Sequence, residues 1–189
     1  MLGIETATEV CGVALTEDED LIAEYRLNLD RSHAERLVPA IERITNDAQL
    51  SLKELQLIAV SIGPGSFTSL RIGLATAKGL AFSLALPLVS VVSLDALAVQ
   101  APTFWGGFQI CALITARKHE AYAAFYRKQS EQSLKRTSKY LLVTLDELKP
   151  FVTEPTLFLG NGVRTFGASL VKDLGSKAFL APNHYSFLS

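Results

Sequence analysis

The 189-residue chain has little from which to build a metal or redox centre. Cys11 and Cys111 are its only cysteines, and its three histidines, His33, His119 and His184, include no pair at i, i+4. Two distant cysteines exclude a disulfide framework and match no zinc-ligand spacing, so no metal site is expected. Charge of one sign is also missing. The 18 basic and 19 acidic side chains leave a net charge of −1, without the basic excess of a dedicated nucleic-acid binder. The local cluster Arg127, Lys128, Lys135, Arg136 and Lys139, with Glu131 among them, reads as a solvated hairpin. No apolar run has the length needed to span a bilayer. Leu2-Gly3-Ile4 follows the first residue without a basic region and a long apolar core, so no leader is expected and the cytoplasm is the expected compartment. A hydrophobic fraction of 49% against 20% charged residues excludes a disordered chain.

The most informative segment that is present runs from Val60 to Gly73. Leu57 to Ile62 is a short apolar run with β-branched residues and reads as a buried strand. Gly63-Pro64-Gly65-Ser66 requires a tight turn, because Gly admits positive φ and Pro fixes its own. From Phe67 to about Leu84 the pattern is helical. Such a loop between a strand and a helix start can hold an anion on its backbone N–H groups, or can simply connect the two elements. Within the helix, Ser69, Gly73, Ala77, Ala81 and Ala85 recur at i, i+4 and form one stripe of small residues. Each Gly costs about 1 kcal/mol relative to Ala, which packing must offset. The stripe can receive the domain's own sheet or a helix of a partner protein.

Around this segment the chain reads as mixed α/β layers. Met1 to Ala7, Val10 to Thr16 and Leu21 to Leu29 read as three strands in two hairpins. Asp30-Arg31-Ser32 offers caps for a helix carrying Leu37, Ile41 and Ile44, which Pro39 is expected to bend or to delay to about Leu37. Ser51 to Glu54 has the form of a capping box, Leu88 to Val92 reads as a strand, and Ser93 as the N-cap of Leu94 to Val99. Pro102 to Gly107 breaks the pattern and divides the chain into residues 1–101 and 102–189. Phe108 to Thr115, Ala121 to Tyr126, Tyr140 to Val143 and Thr156 to Leu159 are the strands expected beyond it. Thr144 or Asp146 caps a short helix, and Gly160-Asn161-Gly162 precedes a helix from about Val163 to Leu174. No internal repeat is visible in the sequence.

Met1 to Leu15, Ser61 to Ala81 and Leu86 to Ala98 together resemble the TsaB family, also called YeaZ. The resemblance is strong over residues 1–98 and thinner to about 170. It implies an α/β, actin-like and hexokinase-like (ASKHA) fold of two related lobes, the second shortened at its C-terminus. It implies a non-catalytic accessory subunit, cytoplasmic, that binds and organises the TsaD catalytic subunit. TsaD transfers threonylcarbamoyl from threonylcarbamoyl-AMP to N6 of adenosine 37 in tRNA. A TsaE-like ATPase would join the assembly, tRNA would be contacted mainly through the complex, and a homodimer would use the same faces when TsaD is absent. The partner interface expected from this resemblance comprises Leu37, Ile41, Ser69, Gly73, Ala77 and Ala81, packed as a four-helix bundle. On that expectation, Gly73→Leu or Ala77→Leu weakens partner binding while the monomer still folds.

Two enzymatic alternatives follow from the same residues. In actin-like folds the first hairpin cradles phosphate and metal. Here Glu5, Thr6, Gly63, Gly65, Ser66 and Thr68 are the candidates for a nucleotide or anion loop, with Glu5 placed to hold a hydrated Mg²⁺. Glu9 adds a negative charge where a phosphate would approach, so the expectation is no required cofactor and at most weak ATP or ADP binding with Mg²⁺. Small ATPase or phosphotransferase activity is the first alternative. A glycoprotease-type hydrolase using Ser66 is the second, although Gly65-Ser66-Phe67-Thr68-Ser69 lacks the closing glycine of a nucleophile elbow. In the second lobe, Thr115-Ala116-Arg117 stands where the family often has Asp-Ala-Arg, which leaves Arg117 without that carboxylate and facing solvent.

Overall fold

The computed structural model describes residues 1–18, 20–28, 33–102, 107–130 and 133–182. Asp30, Arg31, Ser32, Glu131 and His184 therefore lie outside the described residues. The contacts group the chain into two compact units that divide after Ser93.

The first unit opens with a three-stranded antiparallel meander, β1 (Leu2–Glu5), β2 (Val10–Glu17) and β3 (Asp20–Asn28). Helix α1 (His33–Asp47) follows, then β4 (Ile58–Ser61), α2 (Phe67–Leu84) and β5 (Leu88–Val91). β4 and β5 run parallel to β1, giving the order β3-β2-β1-β4-β5. The core is made by one face of the sheet, Leu2, Ile4, Cys11, Val13, Leu15, Ile58 and Val60, against Leu37, Ile41 and Ile44 of α1 and Ala77 and Ala81 of α2. Strand alternation then puts Gly3, Glu5 and Ser61 on the opposite face. Helix α1 is continuous from His33, with Pro39 inside it and exposed. The expected delay to Leu37 does not occur. A helical Pro costs about 3 kcal/mol, and burial of Leu37, Ala40, Ile41 and Ile44 on the other side offsets it. The capping box at Ser51 is present, with the Ser51 N–H donating to Glu54 Oε2 at 2.8 Å.

The second unit begins in α3 (Ser93–Val99). The boundary expected at 101/102 is thus displaced. Its cause is visible in α3: Asp95 accepts hydrogen bonds from Tyr126 and Tyr140, and Lys128 Nζ donates to the Ala101 carbonyl at 2.8 Å. Ser93 itself belongs to the first unit and is not a side-chain cap. Its hydroxyl lies 2.8 Å from that of Ser61. Strands β6 (Gln109–Arg117), β7 (Glu120–Lys128), β8 (Leu134–Arg136) and β9 (Leu141–Thr144) form the antiparallel part of the second sheet. Helix α4 (Leu145–Leu148) carries a capping box from Thr144, and β10 (Thr156–Leu159), α5 (Gly162–Leu174) and β11 (Ala178–Leu180) complete the unit. The order is β11-β10-β6-β7-β8, with β10 and β11 parallel to β6.

Each sheet therefore has an antiparallel hairpin extended on one side, and on the other two parallel strands joined through a helix. α2 in the first unit corresponds to α5 in the second. This is the repeated α/β layout of the actin-like fold that the sequence resemblance implies. The repeat is one of topology, which is why no repeated sequence announces it.

Helix α2 ends on Ala85 in the left-handed region, at φ +53° and ψ +40°. An L side chain there costs roughly 1 kcal/mol relative to glycine. Ala85→Gly is expected to raise the thermal midpoint of the first unit by a few degrees, read by circular dichroism. An unchanged or lower midpoint would contradict the left-handed cap.

Candidate functional site

The small-residue stripe of α2 faces its own sheet. Gly73, Ala77 and Ala81 are buried, and so are Leu37 and Ile41 of α1; all but Gly73, which lies against Thr6, belong to the core of the first unit. A Cβ at Gly73 would overlap the Thr6 hydroxyl. Of the six residues expected at a partner interface, five are interior, and Ser69 is partly exposed in the first turn. The expectation is corrected accordingly. Small residues at i, i+4 bring α2 close to β1, and the space they open is already filled from within the unit.

The opposite side of α2 is open. At 100° per residue, Phe67, Arg71, Ala75, Lys78, Gly79 and Phe82 cluster about half a turn from the buried stripe, and all six are exposed. Phe67 is 74% exposed and Phe82 90% exposed. The Arg71 guanidinium lies over the Phe67 ring, 5.4 Å from its centre. Nothing lies within 4 Å of a Cβ built on Gly79. The face carries two cations and no carboxylate, because α2 contains no acidic residue. On α1, Val38 and Pro39 are exposed among Glu35, Arg36, Glu42 and Arg43. Sequence reasoning missed Phe67 and Phe82. Their spacing of fifteen residues was the available signal, since it returns both rings to one side of the helix.

The glycine loop closes on the first hairpin. The Ser66 N–H donates to the Ala7 carbonyl at 2.7 Å, and a Cβ at Gly65 would overlap that same oxygen. Gly63 has φ +94°, and its carbonyl accepts from the Ser93 N–H at 2.8 Å. The Ser66 hydroxyl caps α2 by accepting from Ser69 N–H at 3.4 Å and from Ser69 Oγ at 3.0 Å. Thr6 is fully buried and its hydroxyl has no partner among the described residues. Glu5 turns back to accept from the Ala7 N–H and also bonds Ser61. The structure thus brings Thr6 and Ala7 together with Gly65, Ser66 and Gly73, and Glu5 together with Ser61 and Ser93. Thr68 stands apart, exposed in the first turn of α2.

These residues do not fit a cradle for nucleotide phosphate and Mg²⁺. The close approach that Gly65 permits is taken by a carbonyl oxygen, which repels an anion. The Ser66 N–H is already spent on that oxygen, and the Glu5 carboxylate is turned into its own backbone. Ser66 is likewise committed as a helix cap rather than poised as a nucleophile. In the second unit, Asn161 Oδ1 accepts from the Thr115 N–H at 3.0 Å, and the Thr115 and Thr165 hydroxyls lie 3.1 Å apart. Thr115 therefore ties the end of β6 to the first turn of α5. Arg117 is 83% exposed, with Glu120 at 3.9 Å.

Burial pushes the Glu5 carboxyl up to about 7, against the opposing effect of its hydrogen bonds to Ala7, Ser61 and Thr6. Burial, with the neighbouring Glu5, also raises the Cys11 thiol. A carboxyl whose pKa is raised on folding stabilises the fold fully below its unfolded value of 4.5 and loses that contribution as pH rises through about 7. The loss is on the order of 3 kcal/mol. Urea denaturation at a series of pH values should show stability falling across this window, and Glu5→Gln should flatten the fall. Parallel curves for the two proteins would overturn the assignment. Denaturation also separates the two faces of α2. Gly73→Leu is expected to cost about 3 kcal/mol or more, and Gly79→Leu almost nothing. Equal costs would contradict the orientation of the helix.

A family model described as tRNA N6-adenosine threonylcarbamoyltransferase (TsaD) matches residues 21–149. The tRNA threonylcarbamoyladenosine biosynthesis protein TsaB of Bacillus subtilis is 34% identical over 183 residues, covering 95% of this chain and 79% of that protein. TsaB of Escherichia coli is 38% identical over 128 residues, covering 68% of this chain and 55% of that protein. Among solved structures, a Pseudomonas aeruginosa protein described as similar to peptidase YEAZ superposes with a TM-score of 0.82 at 27% identity, covering 99% of this chain and 84% of its own. With the repeated topology and the glycine loop in place, these matches show that the chain belongs to the TsaB (YeaZ) family.

Proposed function

We propose that this chain is a non-catalytic accessory subunit in the biosynthesis of threonylcarbamoyladenosine in tRNA. Membership of the TsaB family and the names of its relatives support the process. The accessory role is the reading favoured by a loop whose Ser66 N–H and Gly65 space are occupied from within the chain. In this reading the chain binds and organises a TsaD-like catalytic subunit, and a TsaE-like ATPase joins the assembly. No helix among the described residues is long and apolar enough to cross a membrane, and the cytoplasm is the compartment we propose.

The observation that carries the partner assignment is the outward face of α2. Two nearly bare phenylalanines bracket Ala75 and Gly79, where a partner helix can approach closely. The face is therefore moved from the small stripe to Phe67, Ala75, Gly79 and Phe82, with Arg71 and Lys78 calling for carboxylates on the partner. A second copy of this chain would compete for the same face when the catalytic subunit is absent.

The test is tRNA threonylcarbamoylation in a mixture of TsaD, TsaE, threonylcarbamoyl-AMP, ATP and unmodified tRNA, with and without this chain. Strict dependence on the chain, and no product from the chain alone, is the expected result. Independence would sink the accessory reading. Replacing both Phe67 and Phe82 by Glu is expected to weaken TsaD binding at least tenfold, since exposed aromatic anchors typically contribute about 2 kcal/mol or more each. Wild-type affinity in that variant would overturn the choice of face.

A further inference from the structure

We propose that the second unit carries a docking surface for the phosphate backbone of a structured RNA, along the free edge of β8 and the turn that follows it. The proposal rests on the accessory reading only for the identity of that RNA as tRNA.

The first observation is how charge divides between the units. Residues 1–93 hold seven basic and twelve acidic side chains, whereas residues 94–188 hold eleven basic and seven acidic. The near-neutral whole thus conceals an acidic unit and a basic one. Charge asymmetry of this kind is a signature of polyanion contact.

The second observation is that the six acids of the basic unit that lie among the described residues are engaged. Asp95 accepts from the Tyr126 and Tyr140 hydroxyls at 2.7 and 2.6 Å. Glu154 pairs with Arg127, and Asp146 and Asp173 both pair with Lys149. Glu120 lies near Arg117, and Glu147 bonds its own helix cap, Thr144. By contrast, Lys135 and Lys139 are exposed, and their ammonium groups have no partner among the described residues.

The third observation is local geometry. β8 is the edge strand of its sheet. Arg127 stands directly opposite Lys135, and Tyr126 opposite Arg136. Two cations directly opposed on one face are unfavourable in isolation. On the other face the Arg136 guanidinium stacks 4.0 Å from the centre of the Tyr140 ring and donates to the Ser138 carbonyl at 2.7 Å. Because Asp95 also holds the Tyr140 hydroxyl, the ring and the guanidinium are set in advance. Fixed cations beside an exposed aromatic ring suit a backbone whose bases can stack.

Lysine on an edge strand also guards against edge-to-edge pairing. That role accounts for Lys135. It does not account for Lys139 beyond the strand, nor for a stacked Arg136 and Tyr140 held through the half-buried Asp95 carboxylate.

The test measures binding of unmodified tRNA by the chain alone and by its mixture with TsaD, across a salt series. The variant replaces Lys135 and Lys139 by Gln. Affinity near ~0.1 M salt is expected to fall roughly tenfold. The slope of log affinity against log salt is expected to drop by about two, one for each phosphate contact removed. Thermal unfolding and co-elution with TsaD should be unchanged. Equal affinity and slope for wild type and variant would overturn the proposal in favour of edge protection. So would failure of the wild-type chain to bind tRNA alone together with failure to raise the affinity of the mixture. Failure to co-elute with TsaD, with RNA binding by the chain intact, would sink the accessory reading and leave this surface standing.

Discussion

The first unit depends on how closely α2 approaches the first hairpin at Gly65 and Gly73. No side chain fits at either position, because Ala7 and Thr6 already fill the space. Once the small stripe is committed inward, the other side of the helix must present whatever remains, and what remains includes two phenylalanines and a glycine. The same approach decides the fate of the loop. Its Ser66 N–H and its Gly65 space serve the hairpin, so a phosphate at that point would have to displace the contacts that position the helix. Loss of nucleotide fit and gain of an outward apolar face are thus two results of one packing decision.

The second unit uses the same strand order for other ends. Asp95 anchors α3 by taking both tyrosine hydroxyls, and burial together with that carboxylate raises both phenols. Asn161 does for the β6–α5 junction what Ala7 does for the β1–α2 junction: it gives a backbone N–H an internal acceptor. Junctions at the C-terminal ends of parallel strands are where α/β folds commonly bind ligands. At both of these junctions the chain bonds to itself.

Much of the architecture was legible in the sequence. Periodicity placed α2 and the strands before Pro102 close to their observed positions, and the capping residues Ser51 and Thr144 did what their side chains predict. The three-residue strands β8 and β11 were too short to show alternation. The attachment of α3 to the second unit was hidden because it rests on Asp95, whose tyrosine partners are more than thirty residues away. The direction of α2 was the largest miss. A helix apolar on nearly every side has no polar face to mark its outside, so spacing named the stripe but not what it touches. Glu5 was visible as a carboxylate near a glycine loop. Its turn into the hairpin backbone, and the raised pKa that comes with its burial, depend on neighbours that no local pattern specifies.

The repeated topology supplies a comparison within a single molecule. α5 occupies in the second sheet the place that α2 occupies in the first, yet its exposed positions are Arg164, Thr165, Ala168, Ser169, Val171, Lys172 and Asp173. Both helices keep glycine against their sheets, Gly73 in one and Gly167 in the other, so the inner requirement is common to the two. Only the outer surface has diverged. If the two halves descend from one duplicated ancestor, the architecture constrained one side of this helix in both copies and left the other side free to change. Aromatic exposure on α2 is then a specialisation acquired by one copy, and α5 records what the same helix looks like without it.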